Sequence, residues 1–304
     1  MTAPSQPAAF RCAEAARSRR DPLTGTAAPA RRWLLIEHPG PWSLDAPRTP
    51  PLDGPEGLAL GAAAAANAAR VLLVRRHGRR RSRSRLRWLV VDGDSGRAVL
   101  GRWSTGADLL GAIPSLNARV DPVTWRPSPS LLLVCAHGVH DVCCAVRGRP
   151  VAAALHRRWP ESTWECSHVG GDRFAANLVV LPDGACYGNL DEVNAVGVVG
   201  DHLRGAVDTA YLRGLSSQPP PMQAALIDAL QRFGPAGVGD AVGVLLERTG
   251  PARWTAHLAG TGPMPPRMEA TVVRDQRPAA HLTCRAAAPS SAAGYTVVAM
   301  RTGE

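Results

Sequence analysis

The feature that most constrains the fold is the order of short apolar runs between residues 131 and 203. The first run, LLLVC at the start of LLLVCAHG, predicts a buried strand that ends at Cys135, because it is apolar throughout and too short for a helix. The segments that follow are a helix opening within 143–159, strands at 163–168 and 175–181, the hairpin turn PDG at 182–184, a short return strand ACYGNL, and a helix over 190–203. The pattern is β-α-β, then a β-hairpin, then a helix.

That pattern is typical of a thioredoxin-like fold, so we predict an α/β (α+β) protein with a thioredoxin-like domain in the middle of the chain. Residues 1–30 are polar and rich in Ala, Arg and Pro, which favours poor order at the start. We predict three parts: a small N-terminal α/β unit over 1–125, the thioredoxin-like domain over 126–212, and a small C-terminal α+β domain over 213–304.

The two outer parts are predicted from periodicity and turn residues. The N-terminal elements are a strand in 31–42, an alanine-rich helix after residue 57, strands at 71–75, 87–92 and 98–103, and a short helix at 107–113. The C-terminal elements are a helix at 222–233, a second helix near 239–247, and strands in 253–260, 268–275, 279–286 and 295–300. The sequence indicates no role for this last part.

The basic side chains exclude some chemistry. The chain contains no lysine, so all 35 of its basic residues are arginine. A P-loop and a Schiff-base enzyme both need a lysine, and both classes are therefore excluded. Eight of the arginines fall in residues 75–87. Because no base-stacking aromatics are interleaved with them, we expect a solvated loop, or a patch for an acidic protein, rather than a nucleic-acid partner.

The expected cellular compartment depends on two kinds of apolar segment that the sequence lacks. No run of about 18 apolar residues exists, so no membrane span is predicted. The first twenty residues have no apolar stretch like that of a secretory signal. We therefore expect a cytoplasmic protein, in which cysteines stay reduced or hold metal.

Cysteine and histidine concentrate at two places in the middle part. Cys135 ends the first strand, Cys144 begins the helix, and His168 lies where the next strand ends. In a thioredoxin-like fold these strand ends and this helix start converge, so the three side chains can share a metal. Other cysteines and histidines are expected to be ordinary core or surface residues: Cys12, Cys186, Cys284, His38, His156, His202, His257 and His281.

Two long segments of this region resemble a known family. CAHGVHDVCCAVRGRPVAAAL and CSHVGGDRFAANLVVLPDG are similar to paired motifs of the sucrase/ferredoxin-like family, and RRWLLIEHPGPW with the preceding DPLTGTA resembles its N-terminal segment. The resemblance covers roughly residues 10 to 205. It implies that the middle part is a thioredoxin-like ferredoxin domain, which holds a [2Fe-2S] cluster with two cysteine and two histidine ligands.

Carried across, Cys135 and Cys144 match the cysteine pair, and His168 matches the first histidine of an H-x-G-G-H pattern. The last position of that pattern is Asp172 here. A carboxylate is a hard and rare cluster ligand, so Cys166 is the first substitute, because residues two apart in a strand face the same side. Asp172 is the second. Cys143 is an alternative to its neighbour Cys144.

The implied chemistry is the transfer of one electron, and we expect an electron-transfer protein rather than a stand-alone enzyme. Neutral imidazole in place of thiolate favours the reduced state: two such replacements move the potential to roughly −150 to +300 mV, against about −400 mV for all-cysteine plant-type clusters. With one histidine we expect an intermediate value. No flavin or nicotinamide fingerprint is present, so the partner is a separate reductase or electron acceptor, of unnamed identity. The sequence does not indicate an oligomeric state.

Two alternatives use the same residues. Zinc accepts the same cysteine and histidine donors, which would make the region a zinc-binding structural domain. A thioredoxin-like thiol redox protein without a cluster is the other, although the chain has no C-x-x-C and the adjacent Cys143–Cys144 pair is a poor substitute. Sucrose hydrolysis has no support, because no pair of acidic residues stands out by its spacing.

Overall fold

The computed structural model of the chain describes residues 10–78, 86–121 and 123–303. These residues form a ten-stranded mixed sheet, a separate four-stranded sheet and helices. The helices are α1 (Cys12–Ser18), α2 (Pro55–Ala66), α3 (Gly106–Leu109), α4 (Ile113–Asn117), α5 (Val142–Arg158), α6 (Asn194–Leu203) and α7 (Pro220–Phe233). The strands are β1 (Arg32–Glu37), β2 (Ala69–Arg76), β3 (Leu86–Asp92), β4 (Arg97–Trp103), β5 (Arg126–Pro127), β6 (Leu131–Cys135), β7 (Thr163–Cys166), β8 (Leu178–Leu181), β9 (Ala185–Tyr187), β10 (Leu212–Leu215), β11 (Ala241–Gly250), β12 (Arg253–Gly260), β13 (Arg267–Gln276) and β14 (Ala293–Gly303).

The middle of the large sheet has the predicted thioredoxin-like order. Strands β6 and β7 are parallel and joined by α5, whereas β8 and β9 continue antiparallel on the other side of β6. Helix α6 follows the β8–β9 hairpin. The β-α-β, hairpin, helix pattern is therefore confirmed. Cys135 pairs with Cys166 in the β6–β7 register, so both strands end at one edge of the sheet.

The predicted strand–helix–strand start of the N-terminal part is also confirmed. Strands β1 and β2 are parallel and flank α2 in the chain, and β3 and β4 continue the sheet antiparallel to β1. The sheet order is β10-β9-β8-β6-β7-β2-β1-β3-β4-β5. Because β2 pairs with β7, the N-terminal and middle parts share one sheet. The division of the chain at residues 125 and 212 stays a prediction.

The C-terminal part is an antiparallel sheet in the order β11-β12-β13-β14, packed on α7. The predicted helix near residues 239–247 is wrong, since this segment is part of strand β11. The predicted strand at 279–286 is also wrong, because this stretch forms only a single bridge, between Ala280 and Ser290. The other elements predicted for this part are present in the structure, and the prediction of an α+β part rests on them.

The start of the chain is more ordered than predicted. Residues 12–18 form α1, with Cys12 and Ala13 fully buried, whereas residues 1–9 lie outside the described part. No helix among the described residues is both long and apolar enough to cross a membrane.

Arginines at both ends of the 75–87 run contact the protein itself. Arg75 makes an ion pair of 2.8 Å with Glu165, and the Arg76 guanidinium lies 3.8 Å from the ring centre of Trp164. Arg87 pairs with Glu37 at 3.3 Å. Residues 79–85 lie outside the described residues. The three described arginines therefore serve the fold, and the function of the rest of the run stays a prediction.

Candidate metal centre

Two elements bring Cys135 and Cys144 together. Cys135 is the last residue of β6, and Cys144 lies in the first turn of α5, one turn after the N-cap residue Asp141. Gly148 permits this approach, because a Cβ at this position would lie 2.0 Å from the carbonyl oxygen of Cys135. A helix with any side chain at residue 148 would have to move away from the end of the strand.

The loop after β7 supplies His168 and Asp172. Gly170 and Gly171 have φ angles of +91° and +78°, a backbone region that favours glycine, and they turn the chain tightly between the two polar side chains. His168 Nδ1 lies 2.9 Å from Asp172 Oδ1. The loop thus presents an imidazole and a carboxylate side by side, next to the thiols of α5 and β6.

A fully buried arginine holds this loop. Arg213 of β10 donates hydrogen bonds to the carbonyl oxygen of Gly170 (2.9 Å) and to Asn177 Oδ1 (2.8 Å). Asn177 in turn donates to the carbonyl oxygen of Gly171. Burial lowers the pKa of Arg213 to about 10, yet the group stays charged at neutral pH. Its donors satisfy backbone oxygens that would otherwise be buried without partners.

The donor atoms of Cys135, Cys144 and His168 all lie within 4.8 Å of one another. Asp172 lies beside this group, because its Oδ1 atom is 3.2 Å from Cys144 Sγ. His168 Nδ1 is buried, and its contact of 2.9 Å with Asp172 Oδ1 does not have the geometry of a hydrogen bond. A buried imidazole nitrogen beside two thiols and a carboxylate is a donor set that can hold a metal.

The electrostatics of this group favour the charged forms of Cys135, His168 and Asp172 and the protonated thiol of Cys144. Hydrogen bonding from Cys144 and from His168 holds the pKa of Cys135 well below its usual value, and the same contact with Cys135 raises the pKa of Cys144. Burial lowers the pKa of His168, but Asp172 and Cys135 outweigh it and raise the pKa to about 9. Burial raises the pKa of Asp172, but His168 and Cys144 bring it below its usual value.

His140, which the sequence analysis did not single out, also lies at this site. Its ring stacks on that of His168 with 3.8 Å between ring centres, and its Nε2 atom is 3.8 Å from Asp172 Oδ2. His140 Nδ1 donates a hydrogen bond to the carbonyl oxygen of Leu44. The only sequence signal was its position in the same loop as Cys135. His140, His168 and Asp172 form a second group within 4.8 Å, which can also hold a metal ion.

The site opens to solvent through a cleft. His140, His168 and Asp172 line it, together with Arg70 and Arg285, and its volume is about 510 Å³. Arg70 donates to the backbone oxygens of His168 and Val169, and so fixes the position of the loop. The cysteines lie on the buried side of the group and the histidines on the accessible side.

The two remaining cysteine candidates are placed differently. Cys166 is completely buried beside Cys135, burial raises its pKa, and it belongs to neither of these donor groups among the described residues. Cys143 faces away from Cys135, and its sulfur contacts that of Cys284 at 3.4 Å. The expectation that Cys12 and Cys284 are ordinary core cysteines is also incomplete, because both sulfurs lie in this second cluster.

The fold and these groups define an α/β protein whose cysteine, histidine and aspartate side chains can hold a metal. A sequence model of the sucrase/ferredoxin-like family matches residues 23–214, and the chain therefore belongs to the sucrase/ferredoxin-like family. A search of curated proteins gave no match, and a search of solved structures gave none either.

Proposed function

We propose that this protein carries one electron at a [2Fe-2S] cluster held by Cys135, Cys144, His168 and a fourth ligand. The observation that carries the proposal is the convergence of two thiols and one imidazole within 4.8 Å at the end of β6 and the start of α5. Thiolate and imidazole donors select zinc and iron–sulfur clusters over hard cations such as Mg²⁺ and Ca²⁺. A [2Fe-2S] cluster bound here would supply reversible one-electron reduction.

The contacts favour Asp172 over Cys166 as the fourth ligand. The Asp172 carboxylate touches both Cys144 Sγ and His168 Nδ1, at 3.2 and 2.9 Å, and forms a donor group with His140 and His168, whereas Cys166 is a buried thiol that belongs to neither donor group. His140 is the next candidate, because its ring lies against that of His168. We therefore propose two cysteines, one histidine and one aspartate, with His140 at the mouth of the site.

The chain's own residues tune and shield this centre. Arg70 and Arg213 donate hydrogen bonds to the backbone of the loop that carries His168 and Asp172, and so hold this loop in place. The buried thiols keep water from the cysteine side. The half-exposed histidines are the route by which an electron would reach the surface.

We further propose a separate redox partner with an acidic docking surface, and a cytoplasmic location. The net charge of +10 and the arginines at the cleft, Arg70 and Arg285, favour association with an acidic reductase or electron acceptor. All seven cysteines are described and none forms a disulfide, which agrees with a reducing compartment.

Metal and sulfide analysis tests the proposal. Protein purified without oxygen should be brown and contain two irons and two acid-labile sulfides per chain. Cys144→Ala should lose both, whereas Cys186→Ala, a buried cysteine outside the donor groups, should keep both. A colourless wild-type protein after anaerobic reconstitution would contradict the cluster. Zinc that depends on Cys144 would then favour the structural zinc site.

Three further variants test the fourth ligand. Asp172→Ala should lower the iron content or shift the visible spectrum, because it removes a donor. Cys166→Ala should leave both unchanged, apart from a loss of stability. If Cys166→Ala alters the spectrum and Asp172→Ala does not, the assignment of Asp172 is wrong, and a change in His140→Ala alone would assign His140.

A further inference from the structure

A second cluster of metal-binding side chains lies on the opposite side of the first turn of α5. It consists of Cys12 of α1, Asp141 and Cys143 at the start of α5, and Cys284 in the segment between β13 and β14. Their four donor atoms all lie within 4.8 Å of one another. Three of the four residues are buried, and Cys284 is half-buried. This cluster shares no residue with the candidate metal centre.

The distances inside the cluster suit a tetrahedral ion. Cys284 Sγ lies 3.4 Å from Cys143 Sγ and 3.5 Å from Cys12 Sγ, and Cys12 Sγ lies 3.5 Å from an oxygen of Asp141. With Zn–S bonds of about 2.3 Å, the sulfurs of a tetrahedral zinc site are about 3.8 Å apart. We propose that Cys12, Cys143, Cys284 and Asp141 bind one structural zinc ion.

The neighbouring backbone is arranged as around metal-bound thiolates. The N–H of Cys12 donates to Cys284 Sγ at 3.4 Å. Asp141 is fully buried and accepts hydrogen bonds from the N–H groups of Cys143 (2.8 Å) and Cys284 (2.6 Å). These bonds orient the carboxylate without using all of its lone pairs, so it can also ligate.

Charge also favours a cation in the cluster. Three thiolates and a carboxylate carry four negative charges, which a divalent ion halves. The positive charges of Arg17 and Arg173 offset part of the remaining negative charge, because Arg17 interacts electrostatically with Cys143 and Arg173 with Cys12. A buried group of four acidic donors without a metal would keep its protons or form a disulfide. However, Cys284 Sγ contacts the sulfurs of both Cys12 and Cys143, so the distances single out no pair of cysteines for a disulfide.

The zinc ion would connect three distant parts of the chain. Cys12 and Cys284 are 272 positions apart in sequence, and their shared ligation to Cys143 would fix both to α5. Because Cys143 directly precedes Cys144, the ion would also fix the helical turn that carries a proposed cluster ligand. The four donors leave no open coordination position, so the role is structural rather than catalytic. The inference does not depend on the proposed cluster.

Zinc content of the intact protein, purified under reducing conditions, tests the inference. Wild type should contain one zinc per chain, and Cys284→Ser should lose it while keeping its iron and colour. Cys284 is half-buried in a loop, so the variant should fold. Cys186→Ser, another cysteine outside both groups, should keep its zinc. Asp141→Asn should weaken zinc affinity by at least roughly tenfold.

A second measurement needs no variant. In wild-type protein, thiol alkylation followed by mass spectrometry should show Cys12, Cys143 and Cys284 protected until zinc is removed by a chelator. The inference is wrong if the reduced protein neither contains zinc nor takes up one added equivalent. It is also wrong if the zinc persists in Cys284→Ser and disappears in Cys144→Ser, or if Cys12 and Cys284 form a disulfide in the purified protein. If the wild-type protein contains zinc but no iron, and Cys284→Ser loses the zinc, only the proposed [2Fe-2S] cluster is overturned.

Discussion

At the scale of single residues, the proposed function depends most on Asp172. The family pattern has histidine at this position, and the structure places the aspartate carboxylate in contact with both Cys144 and His168. A charged carboxylate makes the donor set more negative than a second imidazole would. Of two otherwise equal clusters, the one with more negative ligands is harder to reduce.

Replacing this residue by histidine therefore has an expected direction. Asp172→His should raise the reduction potential, on the order of 100 mV, because a neutral ligand replaces an anionic one. A potentiometric titration of both proteins in the same buffer measures the shift. An unchanged or lowered potential would show that residue 172 does not ligate. Glu161→Gln, an exposed acidic residue outside the donor groups, is the control for a general change in charge.

Cys186 allows a prediction about pH at a residue outside both donor groups. Burial raises the pKa of its thiol to about 11, above the value of 9 that applies in the unfolded chain. Above pH 9 the unfolded chain releases this proton and the folded chain keeps it, so the contribution to stability is complete below pH 9 and is lost as the pH rises to 11. The loss is about 2–3 kcal/mol.

Urea unfolding with a reductant, at pH values from 8.5 to 10.5, measures this loss. The free energy of unfolding of wild type should fall more steeply with pH than that of Cys186→Ala. Other titrating groups are common to both proteins, so the difference between the curves isolates residue 186. If the free energy of unfolding falls equally with pH in both proteins, the raised pKa of Cys186 is contradicted.

At the scale of secondary-structure elements, the contact of α5 with the end of β6 builds the site. Cys135 and Cys144 meet only because Gly148 lets the helix lie against the carbonyl oxygen of Cys135. The elements themselves were predictable, since β6 is a continuous apolar run and α5 follows a polar N-cap residue. The closeness of their packing was not, because a glycine in a helix has no sequence signature of its own.

Gly148→Ala tests this contact. The added methyl group would force the helix away from the strand, so we expect a loss of about 1–3 kcal/mol in stability and a lower metal content. The matched control is Gly197→Ala in α6, where an added Cβ meets nothing within 4 Å. That substitution should be neutral or stabilising by about 0.5–1 kcal/mol. Thermal unfolding and metal analysis of both variants provide the comparison, and equal stability of the two would contradict this account of the packing.

Elements predicted incorrectly had ambiguous local patterns. AVGVLLERTG, the segment of β11, contains two adjacent leucines that also fit a helical face. It forms a strand because it pairs with β12. Helix α1 is seven residues long and follows a polar start, so its order comes from the burial of Cys12 and Ala13. The cluster of Cys12, Cys143 and Cys284 had no local signal either, because its members are far apart in sequence.

At the scale of the whole molecule, the middle part of the chain shares buried side-chain clusters with both other parts. One cluster includes residues of α5, α6 and β8 together with α7 and strands of the C-terminal sheet. Another includes residues of β1 and β2 together with β6 and β8. Gln223 of α7 is fully buried and bonds both the N–H and the carbonyl oxygen of Ala27, at 3.1 and 3.0 Å. It therefore ties the C-terminal part to the N-terminal segment beside the large sheet.

Gln223→Leu should destabilise the whole chain. It leaves the buried backbone groups of Ala27, and the carbonyl oxygen of Gln218, without this partner, which we expect to cost about 2–4 kcal/mol. Gln231→Leu makes the same change at an exposed position of the same helix and should stay within about 0.5 kcal/mol of wild type. Urea unfolding followed by circular dichroism measures both, and similar midpoints for the two variants would contradict the role of Gln223.

The most direct test of the central claim is an electron paramagnetic resonance spectrum of the anaerobically purified protein after reduction with dithionite. We predict a spin-one-half signal that integrates to one spin per two irons, with an average g value shifted from that of an all-cysteine cluster, because His168 ligates. The shift should become smaller in His168→Cys, where three cysteines and Asp172 would hold the cluster. A protein that gives no signal on reduction, and contains no iron after reconstitution, would contradict the claim that this chain is an electron carrier.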